Sequence, residues 1–194
     1  MNQQIVTIAP ESEGVSSRIA VGGFAAGLLA EHASLRAGVA GIHDGIPVGR
    51  PLVVSRHSER TELLNGGRCV ASVTPGQLVE GDDAYAPSDA ALCTARWEPK
   101  HTEVDPIGSV PVRVMMAALG AHPPFPEAAL STIGFSILRL PRVGESLFVA
   151  SRGLTASEIE GYGTSWIWTS RGEMLAHATT RWVGKLAEST ERAA

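Results

Sequence analysis

Ile19-Ala-Val-Gly-Gly-Phe-Ala-Ala-Gly-Leu-Leu-Ala30 is the stretch on which the fold turns. Apolar character continues to Leu35, with Glu31, His32 and Ser34 entering only in the later turns. A helix over Ile19–Leu35 would have no polar stripe, so it must be buried on every side. Ser16 and Ser17 precede it, where a hydroxyl can cap the first free amides. Gly22, Gly23 and Gly27 lie inside it, each costing up to about 1 kcal/mol of helix propensity. Glycines kept in a buried helix point to something that approaches the backbone closely.

A helix of this kind needs a wrapping, and the rest of the chain offers strands. In the first half the runs are Val39–Val48, Leu52–Glu62, Arg68–Thr74 and Asp89–Trp97, with Asn65-Gly66 as a hairpin signal. In the second half Pro111 suits a first helical position, and Val112–Leu119 reads as a short helix ending at Gly120. Pro123-Pro124 breaks the chain. Strands are expected at Leu130–Leu138, Ser146–Arg152, Gly163–Thr169 and Met174–Val183, with a tight turn at Arg171-Gly172. Each half therefore reads as one helix followed by a four-stranded antiparallel meander. No crossover helices separate the strands, which argues against a parallel sheet.

The halves also resemble each other. Pro47–Val73 laid over Arg142–Trp168 matches Val48-Gly49 with Val143-Gly144, Leu52 with Leu147, Val54 with Val149 and Gly66 with Gly161. Further on, Ala91, Thr94, Arg96 and Trp97 fall on Ala176, Thr179, Arg181 and Trp182, if a longer loop occupies Pro75–Pro87. This is the pattern of a tandem duplication, with modules over residues 1–100 and 101–194.

Composition narrows the function. The 194 residues carry a net charge of −4 and no polybasic field, which argues against nucleic acid or an anionic membrane as partner. The longest apolar stretch is about 12 residues, where about 20 would span a bilayer. Met1–Pro10 has no basic start followed by an apolar core, so a cytoplasmic protein is expected. Cys69 and Cys93 suit buried, reduced thiols. The six histidines show no metal-ligand spacing, and no metal is expected. There is neither a G-x-S-x-G elbow nor a Walker loop.

A buried helix wrapped by antiparallel strands, present twice, resembles the double hotdog fold, an α+β architecture. Ile19–Ala30 is similar to the Gly-Gly opening of the central helix in the acyl-CoA thioesterase II-like family. Arg50-Pro-Leu-Val-Val54 with Gly66, and Gly172-Glu-Met-Leu-Ala176, resemble its next strand and its final strand. The likeness runs over roughly residues 5–186. It implies hydrolysis of an acyl thioester, with coenzyme A as part of the substrate and no separate cofactor. Better-known members use an aspartate, a hydroxyl and a glutamine from the second module. Here Gly134 stands at the aspartate position and Thr180 at the glutamine position, while Thr155 or Ser157 supplies the hydroxyl.

Thioester hydrolysis needs an oriented water, donors for the developing oxyanion, and room for the acyl chain. Gly22, Gly23 and Phe24, near the start of the first helix, are the oxyanion and acyl-binding candidates. His43-Asp44 puts two titratable groups in an apolar run, and Asp44 is the expected base. Neighbouring strand residues face opposite ways, so only one of the two can enter a pocket. Arg56, Arg60, Arg139 and Arg142 are candidates for the phosphates of coenzyme A. His177, Thr179 and Arg181 share one strand face, read as solvated or as a subunit contact. Two other readings stay open: a hotdog hydratase or dehydratase using His43-Asp44, and a degenerate acyl-thioester binder. A small-molecule acyl thioester is the expected partner, and open sheet edges favour a homo-oligomer.

Overall fold

Two residues of glycine, Gly66 and Gly67, both with positive φ (57° and 86°), close the hairpin that organises the first half. A two-residue loop with both φ positive is the turn whose twist matches its strands. The structure is a computed structural model that describes residues 2–8, 19–77, 93–97, 109–125, 127–142, 144–157 and 159–184. For residues 2, 19–21, 93–97 and 154–156 it describes the backbone alone. The elements are β1 (Asn2–Thr7), α1 (Ile19–Ala33), β2 (Ala37–Ile42), β3 (Pro51–Arg56), β4 (Thr61–Asn65), β5 (Arg68–Pro75) and β6 (Cys93–Trp97). Then follow α2 (Val112–Leu119), β7 (Ala129–Ile137), β8 (Leu147–Ser157), β9 (Glu160–Thr169) and β10 (Met174–Val183).

Both expected helices are present, and α2 has the expected bounds, entered at Pro111 and ended at Gly120. The capping role of Ser16 and Ser17 and the loop at Pro75–Pro87 fall, wholly or mostly, outside the described residues. Leu52–Glu62 is two strands rather than one. The polar turn His57–Arg60 divides it, closed by the His57 amide donating to the Arg60 carbonyl at 2.9 Å.

All ten strands among the described residues join in one antiparallel sheet, in the order β1-β3-β4-β5-β2-β7-β10-β9-β8-β6. The expected meander is corrected here. β3, β4 and β5 are consecutive neighbours, but β2 crosses over to lie beside β5, and β1 adds outside β3. Read inward from its other edge, the sheet repeats that pattern as β6-β8-β9-β10-β7. Cys93–Trp97, expected to close the first half, instead pairs with β8. β10 occupies the place that β5 holds in the first half, so the proposed match of Trp97 with Trp182 joins strands of unlike position. The earlier block of the alignment fits better. Gly49 and Gly144 both take positive φ (70° and 82°) ahead of β3 and β8, and Leu52 and Leu147 are both fully buried.

One face of the sheet packs on the helices. Leu52, Val54, Leu63, Ala71 and Val73 from the first half join Leu147, Val149, Ile167, Ala178 and Trp182 from the second in a single core with both helices. Alternate residues on each strand therefore face outward. Trp166 and Trp168 stack on that outer face with Ala150, their ring centroids 5.9 Å apart. No helix among the described residues is long and apolar enough to cross a membrane.

Candidate functional site

The three glycines of α1 identify what approaches its backbone: the second helix. A Cβ on Gly27 would lie 2.3 Å from Arg113 Cα, and one on Gly23 would lie 2.4 Å from the Met116 carbonyl oxygen. A Cβ on Gly120, just past α2, would stand 3.3 Å from Gly23 Cα. These contacts run backward along α2 as α1 advances, so the helices are antiparallel. The start of α1 thus lies beside the end of α2. At the opposite end, Glu31 reaches the start of α2. Its Oε1 accepts the Arg113 amide at 3.0 Å and its Oε2 accepts Arg113 Nη1 at 2.6 Å. A carboxylate there satisfies an unpaired amide and complements the helix dipole.

Gly22 and Gly23 lie a full turn inside α1, which begins at Ile19. The amides without a helical acceptor are those of the first turn, 19–21, rather than those of the two glycines. Gly22 packs toward Leu130 of β7 and Ile42 of β2, each within 3.6 Å of its added Cβ. Phe24 is half-buried against the core.

His43 and Asp44 follow β2, and neither points toward α1. The imidazole lies over Gly41, and its Nε2 is 2.9 Å from Ser72 Oγ on the outer face. Asp44 Oδ1 accepts the Gly45 amide at 2.7 Å, and Oδ2 pairs with Arg68 at 3.1 Å. Both residues are exposed.

Three of the four arginine candidates, Arg56, Arg60 and Arg139, have guanidinium partners within the chain. Arg56 Nη1 donates to the His32 carbonyl in the last turn of α1 at 3.4 Å. Arg60 pairs with Glu62. Arg139 holds Glu145 and Glu173 together, at 3.0 and 2.8 Å, and donates to the Leu140 carbonyl. Its guanidinium keeps both carboxyls below their ordinary range, and they in turn hold it protonated. Arg142 is exposed, and its amide donates to Glu145 Oε2 at 2.9 Å. On the outer face Arg181 Nε donates to Glu160 Oε1 at 2.7 Å, and Tyr162 donates to the same oxygen.

Among the hydroxyl candidates, the Thr155 backbone pairs with Gly161 in the β8–β9 ladder, and its side chain lies outside the described residues. Ser157 is exposed and accepts the Ile159 amide at 3.4 Å. Gly134 sits opposite Thr179, whose Oγ1 would be 3.1 Å from an added Cβ. The hydroxyl of Thr180 is buried and accepts the Trp182 indole N–H at 2.8 Å. The site residues expected from sequence are therefore not gathered into one cluster.

Two features went unread in the sequence. Ser55, His57 and Glu62 meet on the outer face, with His57 Nε2 3.1 Å from Glu62 Oε2 and 3.3 Å from Ser55 Oγ. Burial, and after it the Glu62 carboxylate, raises the thiol of Cys69, which is half-buried rather than the fully buried cysteine expected. The second feature is His122, in the loop between α2 and β7. Pro124 of that loop lies on Gly153 of β8, with its Cβ 3.0 Å from an added Cβ there. The same loop starts at Gly120, against α1. His122 is half-buried, and burial lowers its imidazole below the ordinary value. A histidine two residues past a helix-ending glycine was the available signal. No group of three or more histidine, cysteine or acidic residues suited to a metal occurs among the described residues.

Comparison with solved structures gives the fold a name. The chain superposes on the protein assigned as an oleoyl thioesterase in Lactobacillus plantarum with a TM-score of 0.66, at 8% identity and over 94% of each chain. Against acyl-CoA thioesterase II of Mycobacterium marinum the TM-score is 0.63, at 12% identity, covering 96% of this chain and 94% of that one. A hotdog-fold protein of unknown function from Alicyclobacillus acidocaldarius gives 0.61 at 13% identity, over 95% and 93%. The chain shares their hotdog fold. No protein-family profile and no curated protein matches it.

Proposed function

We propose that the protein is an acyl-thioester hydrolase built as two hotdog modules in tandem, in which water attacks a thioester bound beside the start of α1. The observation that carries this reading is the extent of the likeness. Folds described as thioesterases match this chain over 94–96% of its length, across both halves of the sheet. The local chemistry is compatible with it. The first-turn amides of α1 are oxyanion donors of the kind that such a reaction needs, and the dipole at that end favours developing negative charge. The acyl group would lie against the apolar side chains there, Phe24, Ile42 and Leu130 among them. Coenzyme A would enter as part of the substrate, with no separate cofactor.

One observation favours a second reading, a protein that binds acyl thioesters without hydrolysing them. At the positions where the family resemblance would put an acid and an amide, this chain has Gly134 and a Thr180 hydroxyl already bonded to the Trp182 indole. The two readings separate in one experiment. The purified protein is incubated with short, medium and long acyl-CoAs, an acyl-carrier protein and an enoyl-CoA. Free thiol and enoyl absorbance are followed together. Thiol release above the uncatalysed rate supports hydrolysis. Thermal stabilisation without turnover supports binding alone, and would reach about 2.7 kcal/mol at a hundredfold excess over Kd. Loss of the enoyl signal without thiol release would replace both readings with a hydratase.

A further inference from the structure

We infer that His122 is the base that takes a proton from the attacking water, a role that sequence reading gave to Asp44. The inference rests on the thioester-hydrolase reading and names the group that would do its chemistry. Its basis is placement. The chain from Gly120 to Pro124 bridges two fixed points: the second turn of α1, where Gly120 stands against Gly23, and the inner face of β8, where Pro124 stands on Gly153. His122 is the midpoint of that bridge, two residues from each end and so within about 7 Å of both along the backbone. Gly22 of the same α1 turn touches Leu130, at the start of the strand into which the loop runs. The loop therefore brings one imidazole to the same end of the helix pair as the unpaired amides of α1.

The other titratable candidates among the described residues sit elsewhere. Asp44 is exposed and paired with Arg68, and His43 bonds Ser72 on the outer face. His57 is tied to Glu62 on the outer face as well. The stretch Ile19–Phe24 of α1 contains no charged residue. Arg152, next to Gly153 on β8, is exposed and alternates to the outer face, and Glu127 in the loop before β7 is also exposed. Burial is the cause of the lowered imidazole pKa. A half-buried neutral imidazole has a lone pair free for a proton at neutral pH.

The step balances without any further reagent. A ring nitrogen of His122 accepts a proton from water as the water oxygen bonds to the thioester carbonyl carbon. The carbonyl electrons move onto oxygen, facing the first-turn amides of α1. Collapse breaks the C–S bond, and the departing thiolate takes the proton back from the imidazolium. The products are the free acid and the thiol.

The test compares the native protein with His122→Gln on the acyl-CoA that the native protein hydrolyses best, across pH 5–9. In the native protein kcat/KM should fall on the acid side with an apparent pKa below 6.5. In His122→Gln the rate should drop about 10²- to 10⁴-fold, as for loss of a positioned base, and the acid limb should vanish. Binding of a non-hydrolysable acyl-CoA thioether should change less than threefold. A native profile with no acid limb overturns the inference whether or not the variant folds. So does a His122→Gln protein that keeps both rate and limb, and in that case the hydrolase reading survives. A native protein that hydrolyses no thioester removes the hydrolase reading, and His122 with it.

Discussion

At Gly27 one methyl group decides whether the two helices can meet. An alanine would gain up to about 1 kcal/mol of helix propensity. Its Cβ, however, would fall 2.3 Å from Arg113 Cα and 2.8 Å from the Val112 carbonyl oxygen, and backbone cannot swing aside as a side chain can. Overpacking of that kind costs about 1–3 kcal/mol or more and wins. Gly27→Ala should lower the urea midpoint, with a net loss on the order of 1–2 kcal/mol, while Gly45→Ala, with nothing within 4 Å, should shift it by less than about 0.5 kcal/mol. A Gly27→Ala protein as stable as the native one would mean the helices do not touch there. The same geometry makes Gly23→Val a poor probe of oxyanion binding, since the added side chain meets the Met116 carbonyl before any substrate does. The sequence announced a close approach at these glycines. It could not say that the visitor was α2, because that contact joins residues about ninety positions apart.

Single elements were legible where chemistry marks both ends. Pro111 and Gly120 bracket α2, and Met174–Val183 follows a glycine turn, so both were read with the right bounds. β1 was not read, because Asn2–Thr7 has little alternation and is held by pairing with β3 alone. His43-Asp44 shows why the site was harder to see than the fold. Their titratable chemistry is visible in the sequence, but the face they occupy depends on the register of β2 with β5. The Arg139 strap acts at this scale too. It ties the exit of β7 to the entry of β8 through Glu145 and to the β9–β10 turn through Glu173. Both carboxyls are held below their unfolded value of 4.5 by the guanidinium. Their contribution is thus fully present above about pH 4.5 and is lost as pH falls through the lower folded values. Arg139→Met should therefore reduce stability at pH 7 modestly, as exposed pairs do, and flatten the fall in stability below pH 4.5. Denaturant midpoints at pH 3.5, 4.5 and 7 check this, and an unchanged slope in the variant would show that the strap contributes nothing.

At the scale of the molecule, the strand order could not be read, because pairings such as β2 with β7 join residues nearly a hundred positions apart. That pairing, Ala37–Gly41 against Ser136–Thr132, is where the two halves of the sheet meet. With the glycine-mediated crossing of α1 and α2, it places residues of both halves in one core. Two halves of a chain that share a sheet and a core cannot unfold one at a time without exposing that core. The tryptophans allow this to be tested without mutation. All four, Trp97, Trp166, Trp168 and Trp182, lie in β6 and beyond, so their fluorescence reports the second half, while far-UV circular dichroism reports both. In urea the two signals should fall along one curve with a common midpoint. Val39→Pro would remove an amide from β2, which is paired on both sides, and should cost about 3 kcal/mol or more. If the halves are one cooperative unit, that substitution shifts the fluorescence and dichroism midpoints together, although no tryptophan lies in the strand it damages. Midpoints that separate, in the native protein or in the variant, would show that the β2–β7 seam and the helix crossing do not couple the halves.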